Sequence, residues 1–398
     1  MTKTAPFIFG LIGLASASTH RLLLSSYKPT DPNANLGAIQ TLELDTEAST
    51  LTLTHTSHDC GRDAAWLDTS LGKGVVLCLD EAIDLGYSGH LTKLSLQSDG
   101  SLKKLSSINV LRGPVHLTTF NNKSALALAN YEPPSISTFK VGPNDSFPAI
   151  QNFTFPVPDP ADDTAVESHI HQAVLDPTGR YLVFPDLGSD LVRVYCIDTA
   201  TGLLKEEKPL ALKTGEGPRH ATFWTPAHSR TAFFFVLHEL TSKISSYKVT
   251  YLKSGGLAFH QLDEVSTYGH LPTPEGAAGA ELTLSPDNTF LLASNRNASL
   301  FNVPNPDPSN KTSIPSDSII TFKPNKKGKL SFVQLAPSGG SFPRHFQLNG
   351  NGSLIAIANQ NSHNVNVYKR NVQTGKIGDL VAAQSGLGPG GLTNVRWV

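Results

Sequence analysis

A run of apolar, strand-forming residues that stops abruptly at polar or charged ones recurs seven times along the chain. The runs are Arg21–Ser26, Gly74–Asp80, Ala125–Asn130, Tyr181–Asp186, Ala232–Glu239, Phe290–Arg296 and Leu354–Gln360. Their starts lie 53, 51, 56, 51, 58 and 64 residues apart, a period in the range of repeat folds. In most repeats an alternating segment follows, such as Leu191–Tyr195 or Asn364–Tyr368, the period-two signature of a further strand. Ahead of the run there is often another strand and a tight turn, as at Asp176-Pro177-Thr178-Gly179, Ser285-Pro286-Asp287-Asn288 and Asn349-Gly350-Asn351-Gly352. Three visible strands and a weaker outer one, repeated seven times, predict an all-β, seven-bladed β-propeller forming a single domain over residues 19–398. The short β-like segment Asn394–Trp397 is placed to complete the first blade and close the ring, leaving only short, protected edges. A pair of β-sandwiches is the competing arrangement.

Blade geometry then selects a site. The strand before the turn is innermost and the apolar run is second. The two are antiparallel, so the start of one and the end of the other share a rim of the central channel. Inner-strand starts carry His116, His171, Arg219 with His220, Glu281, and Arg344 with His345. Second-strand ends carry Asp80, Asn130, Asp186, Glu239, Arg296 and Asn359. Strand middles between them are almost wholly apolar. Titratable groups from distant sequence positions are thus expected to meet at one end of the channel.

Composition removes several alternatives. Acidic and basic residues nearly cancel, 33 against 32, so no basic excess exists to neutralise a nucleic-acid backbone. Lys3, the apolar stretch Phe7–Leu14 and Ala15-Ser16-Ala17 have the layout of a secretory signal peptide over residues 1–18. That stretch is too short to span a bilayer, and the expected location is extracellular, with no membrane partner. Cys60, Cys78 and Cys196 allow at most one disulfide and show no metal-ligand spacing; the expectation is that they act as small buried hydrophobes. Six N-x-S/T sequons, at Asn122, Asn144, Asn152, Asn297, Asn310 and Asn351, permit glycosylation without requiring it.

The rim residues also carry a resemblance. The stretches Ile170–Gly179, Gly217-Pro218-Arg219-His220, Glu281–Asp287 with Ser294-Asn295-Arg296, and Pro343-Arg344-His345-Phe346 resemble the seven-bladed lactonase family. That family includes propeller-type 6-phosphogluconolactonases, carboxy-cis,cis-muconate cyclases and secreted fungal aldonolactonases. The resemblance covers nearly all of residues 19–398. In the cyclase branch the proposed catalytic set is a His, an Arg, a Glu and a second Arg; motif by motif these fall on His171, Arg219, Glu239 and Arg296. The resemblance implies a metal-independent lactone enzyme that needs no cofactor.

The residues suit that chemistry. His171 can exchange a proton near neutral pH. Glu239 could hold that imidazole, or act as an acid if a dry pocket raises its pKa. Arg219 and Arg296 are permanent cations suited to an oxyanion or a substrate carboxylate. His116, His220, Glu281, Arg344 and His345 are the expected substrate contacts. In the competing structural reading the two arginines pair with Glu239 and Glu281 as ties between blades. No G-x-S-x-G elbow, H-E-x-x-H helix or P-loop is present, and no acidic cage for a calcium-dependent lactonase is visible. Export favours an aldono-1,5-lactone such as glucono- or cellobiono-lactone as the small-molecule substrate. A muconate cyclase, a 6-phosphogluconolactonase-like enzyme and a non-enzymatic binding module are the alternatives; the last would expect an apolar or aromatic upper face.

Overall fold

Each of the seven apolar runs is the second strand of a four-stranded antiparallel sheet, and the seven sheets form the blades of a propeller. The computed structural model describes residues 19–31, 35–84, 86–157, 167–306, 309–388 and 390–398, and the expected signal peptide lies outside them. Among the described residues there is no α-helix. Blades 2 to 7 begin with inner strands at Ala64–Asp68, Pro114–Phe120, Val174–Leu175, Pro218–Trp224, Ala278–Leu284 and Pro343–Leu348. The inner strand of blade 1 is the carboxyl-terminal Leu392–Trp397, paired with Thr19–Ser26. Ring closure by the last strand is as expected, fastened by backbone pairing from Leu22 to Ser26 and a 2.8 Å contact between the Ser25 and Thr393 hydroxyls.

The apolar runs stand out because these strands are covered on both faces. Along Tyr181–Asp186, Leu182 and Phe184 pack against Phe120 and Ala127 of blade 3, whereas Tyr181 and Val183 pack against Ala221, Phe234 and Val236 of blade 5. Alternation thus assigns odd positions to one neighbouring blade and even positions to the other. Each such side chain contributes about 1.5–3 kcal/mol on burial. The turn before this strand is set by Asp176, whose carboxylate accepts the N–H groups of Thr178, Arg180 and Tyr181, with Gly179 at a φ of 70°. The widest repeat, between Phe290 and Leu354, is stretched by an extra hairpin in blade 6, Phe301–Pro304 with Ser313–Ser316.

The cysteines depart from expectation. Cys60 and Cys78 form a disulfide rather than serving as independent hydrophobes, and Cys196 alone is free. The bond ties the connection after the outer strand of blade 1 to the second strand of blade 2.

Candidate active site

The inner strands carry β-bulges at the rim. Register slips between Pro218 and His220, between Pro343 and His345, between Pro114 and His116, and between Ala64 and Trp66. A bulge leaves one residue out of the ladder and re-aims its side chain. Here it turns Arg219, Arg344 and Val115 into a cavity at the channel mouth. The residues that follow, His220, His345, His116 and Trp66, form a layer beneath it. Adjacent positions on one strand therefore serve different layers.

The second strands supply the other wall, with Glu239 and Arg296 at the positions the sequence pattern suggests and Tyr27, Glu81 and Tyr131 one residue beyond the apolar run. Asp80, Asn130, Asp186, His238 and Asn359 are the paired strand ends, and all are buried. Asp80 accepts the N–H groups of Arg62, Asp63 and Ala82. Asp186 accepts that of His169 and pairs with Arg193. These groups fasten loops and do not line the cavity. Tyr27, Glu81, Tyr131, Leu187, Glu239 and Gln360 come next in sequence. Each donates its backbone N–H to the carbonyl of a residue leading into the same blade's inner strand: Gly391, Asp63, Gly113, His169, Gly217 and Phe342. Arg296 takes the corresponding place in blade 6, paired with Ala278.

Of this ring, Tyr27, Glu81, Tyr131, Glu239 and Arg296 join Val115, His171, Arg219 and Arg344 around a cavity of about 160 Å³. The four expected catalytic residues His171, Arg219, Glu239 and Arg296 therefore meet at one place, with Arg344. Glu239 is clamped: its Oε2 lies 2.8 Å from Arg219 Nε and 2.8 Å from Arg296 Nη2. Burial works to raise its pKa, but the two arginines outweigh it and hold the carboxyl below its usual range. It is therefore an anion at neutral pH, committed to the two arginines, and it makes no hydrogen bond or ion pair with His171 among the described residues. Glu281 does not share in the arginine pairing. Burial, with Arg296 alongside, pushes Arg219 down to about 9, which still leaves it charged at neutral pH. Arg296 also donates to the Gly279 carbonyl and lies 4.7 Å over the ring of Phe342. Phe342 holds a left-handed φ of 65° at a position where other blades place Gly113, Gly217 or Gly391, a cost of order 1–3 kcal/mol retained beside the site.

Arg344 has no hydrogen bond or ion pair among the described residues and lies 5.2 Å over the Tyr27 ring. None of its donors is committed to a protein acceptor among the described residues. His171 is also poised. Burial first, then Arg219 and His220, keep its pKa well below the usual value, so the imidazole is neutral. Its Nδ1 is buried without a partner, which leaves Nε2 as the nitrogen open to the cavity. Tyr131 packs edge-on against it at 5.8 Å.

His116, His220, Glu281 and His345, expected to touch substrate, are absent from the cavity wall. They form the layer below with Trp66 and Gln172. There they tie neighbouring blades: Ala173 N–H donates to His116 Nδ1, Ala221 N–H to Gln172 Oε1, and Val395 N–H to His345 Nδ1. Because a backbone N–H can only donate, His116 and His345 carry their own proton on Nε2. His220 Nδ1 lies 3.1 Å from Glu281 Oε1, and His345 Nε2 lies 3.4 Å from Glu281 Oε2. Trp66 packs on His116 at 4.1 Å and edge-on to His345 at 5.2 Å. Burial raises Glu281 and lowers all three histidines.

Three polar cavity residues, Tyr27, Glu81 and Tyr131, escape the sequence reading, as does the apolar Val115. The signal that finds the three polar ones is positional, since each directly follows a marker strand. Larger hollows of about 560 and 710 Å³ lie elsewhere, along Gly72–Val76 and Trp397 and along Ser49–Thr52 and Leu380–Ala383, with no His, Asp or Glu in their walls. Among the described residues no group of three His, Cys, Asp or Glu could hold a metal ion.

Comparison with known proteins agrees with this architecture. The family model "Lactonase, 7-bladed beta-propeller" matches residues 21–392. A probable 6-phosphogluconolactonase of Arthroderma benhamiae is 31% identical over 94% of this chain and 89% of its own length. A 6-phosphogluconolactonase of Formosa agariphila is 30% identical over 68% of this chain and 70% of its own. Among solved structures, a periplasmic gluconolactonase of Pseudomonas aeruginosa superposes with a TM-score of 0.76 at 23% identity, covering 96% of this chain and 99% of that one; at that identity the likeness concerns the fold.

Proposed function

Because the chain belongs to the family of seven-bladed β-propeller lactonases, which are hydrolases, we propose that it opens aldono-1,5-lactones such as glucono- or cellobiono-lactone to aldonic acids, outside the cell. One observation carries the reading: a neutral imidazole and three guanidinium groups share a cavity of about 160 Å³. That is the space of about five water molecules, enough for the carbonyl end of a small polar ring and its attacking water.

In this reading His171 Nε2 takes a proton from water as its oxygen attacks the lactone carbonyl. General-base help of this kind contributes roughly 10²–10⁴ in rate. The charge developing on the carbonyl oxygen is met by a guanidinium, and Arg344, free of other partners, supplies the donors. Removing one such donor typically costs about 10²–10³ in rate. Arg219 and Arg296 are committed to Glu239, so their first effect is to fix that carboxylate and to keep the cavity positive. Export rests on the leader-like pattern of residues 1–18.

A second reading has its own support. Three arginines face only one clamped carboxylate and Glu81, a positive balance that also suits a phosphorylated or carboxylated lactone. The test is a comparison of kcat/KM for glucono-1,5-lactone, cellobiono-1,5-lactone, 6-phosphoglucono-lactone and 3-carboxymuconate, followed as acid release or ring closure over the spontaneous background. Preference for the neutral lactones supports the first reading. A preference for the phosphorylated lactone by tenfold or more, about 1.4 kcal/mol, replaces it, as does cyclisation of the muconate.

A further inference from the structure

The cavity holds two carboxyl groups in contrasting surroundings. Glu239, from blade 5, sits between two arginines. Glu81, from blade 2 on the far wall, has no cation within ion-pair distance among the described residues; its partner is the Tyr27 hydroxyl, which donates to Oε2 at 2.6 Å. Its backbone is fixed on both sides, by N–H to the Asp63 carbonyl and C=O to the Gly113 N–H. Both Glu81 and Tyr27 line the same 160 Å³ space as His171. We propose that Glu81, oriented by Tyr27, is the general acid that protonates the ring oxygen of the lactone as the ring opens. This role rests on the lactonase reading.

The bond changes balance. Water oxygen bonds to the carbonyl carbon and gives one proton to His171. The tetrahedral adduct collapses, the bond from carbonyl carbon to ring oxygen breaks, and the electron pair stays on the ring oxygen. That oxygen takes the proton from Glu81 and becomes a hydroxyl. One water is consumed, the acid product ionises, and the catalyst is regenerated by exchange with solvent, in which His171 loses the proton it took and Glu81 regains the one it gave. Neither Glu239, held ionised, nor the arginines can supply this proton. An alkoxide is a poor leaving group without it, whereas a phenolate is not.

Surroundings support the assignment. Burial pushes the Glu81 carboxyl up; Arg344 and the Tyr27 hydrogen bond work against this, while Asp63 and Asp80 add to it, and the balance is upward. Glu239 is moved the other way. Two carboxyls whose environments drive their pKa values apart divide into proton donor and permanent anion. With His171 active when neutral and Glu81 active when protonated, the rate follows a bell-shaped pH profile. Its alkaline limb belongs to Glu81.

The test uses Glu81→Gln, which keeps the shape of the side chain, and two substrates. On glucono-1,5-lactone, whose leaving group is an alcohol, the expected loss in kcat is about 10²–10⁴. On dihydrocoumarin, whose leaving group is a phenol, it is less than about threefold. The alkaline limb is expected to vanish. Tyr27→Phe is the second variant: the lost hydrogen bond favoured the ionised carboxyl, so its removal moves the alkaline limb to higher pH. An active wild type whose E81Q form keeps its rate on glucono-1,5-lactone, or loses both substrates equally, overturns the role of Glu81 alone. A wild type that hydrolyses neither substrate overturns the lactonase reading and this role with it.

Discussion

Two layers of the channel are built from neighbouring residues of the same strands and have opposite characters. In the upper one, Arg219 and Arg344 bulge out of the ladder into a cavity with His171, Glu81 and Glu239. In the lower one, His220 and His345 bind Glu281 and the next blade's backbone. Both layers are rich in titratable groups, so residue type does not separate them. What separates them is commitment. The lower groups make their hydrogen bonds between blades, whereas Arg344 and His171 Nε2 make none among the described residues and face the cavity. A bulge of one residue is enough to divide the cavity wall from the layer that closes the ring.

The contrast can be broken most sharply at His171. His171→Ala is expected to lose about 10²–10⁴ in kcat with an unchanged unfolding midpoint; a variant equally unstable and inactive would move His171 to the lower layer. The adjacent pair Arg344 and His345 comes next. Arg344→Ala is expected to lose about 10²–10³ in rate and little stability. His345→Ala leaves the Val395 N–H without its acceptor, and is expected to cost about 1–3 kcal/mol in denaturant unfolding with kcat close to wild type. Glu281→Ala tests the same layer at its hub. With two histidines losing one partner, a loss of about 1–3 kcal/mol is expected, and no change in the pH profile of activity.

The smallest effect concerns acid. His116, His171, His220 and His345 are held neutral well below their usual pKa, and burial pushes His238 down to about 4. Below pH 6.5 the unfolded chain takes up protons that these folded histidines refuse. Stability is therefore whole above the unfolded value and is lost as pH falls through 6.5 towards the folded values. Each histidine contributes up to about 1.4 kcal/mol per pH unit in that window. Replacing His345 by Gln should lessen the slope of stability against pH; an unaltered slope would show that folded His345 takes up its proton as readily as the unfolded chain does.

Much of this was legible in the sequence because burial on both faces leaves a strand such as Ala125–Asn130 unbroken in its apolar character. The seven runs, the period and the closing strand all follow from that. His171, Arg219, Glu239, Arg296 and Arg344 were legible as rim residues, since the antiparallel pairing of inner and second strands fixes one end of the channel. The division between layers was not. It depends on bulges at Arg219 and Arg344 that leave no mark in the hydrophobic pattern. Tyr27 reads as the tail of an apolar run and Glu81 as a second acid after Asp80, and the one-residue offset that brings them to the cavity is a property of the backbone. The Cys60–Cys78 pairing likewise depends on how blades 1 and 2 meet.

The central claim is that the upper layer opens lactones through His171 without a metal. Hydrolysis of glucono-1,5-lactone, followed as acid release over the spontaneous background in the presence of EDTA, tests it most directly when wild type and His171→Ala are run side by side. The expected result is acceleration that survives EDTA and falls by about 10² or more in the folded variant. Acceleration abolished by EDTA, or retained in full by His171→Ala, would contradict it.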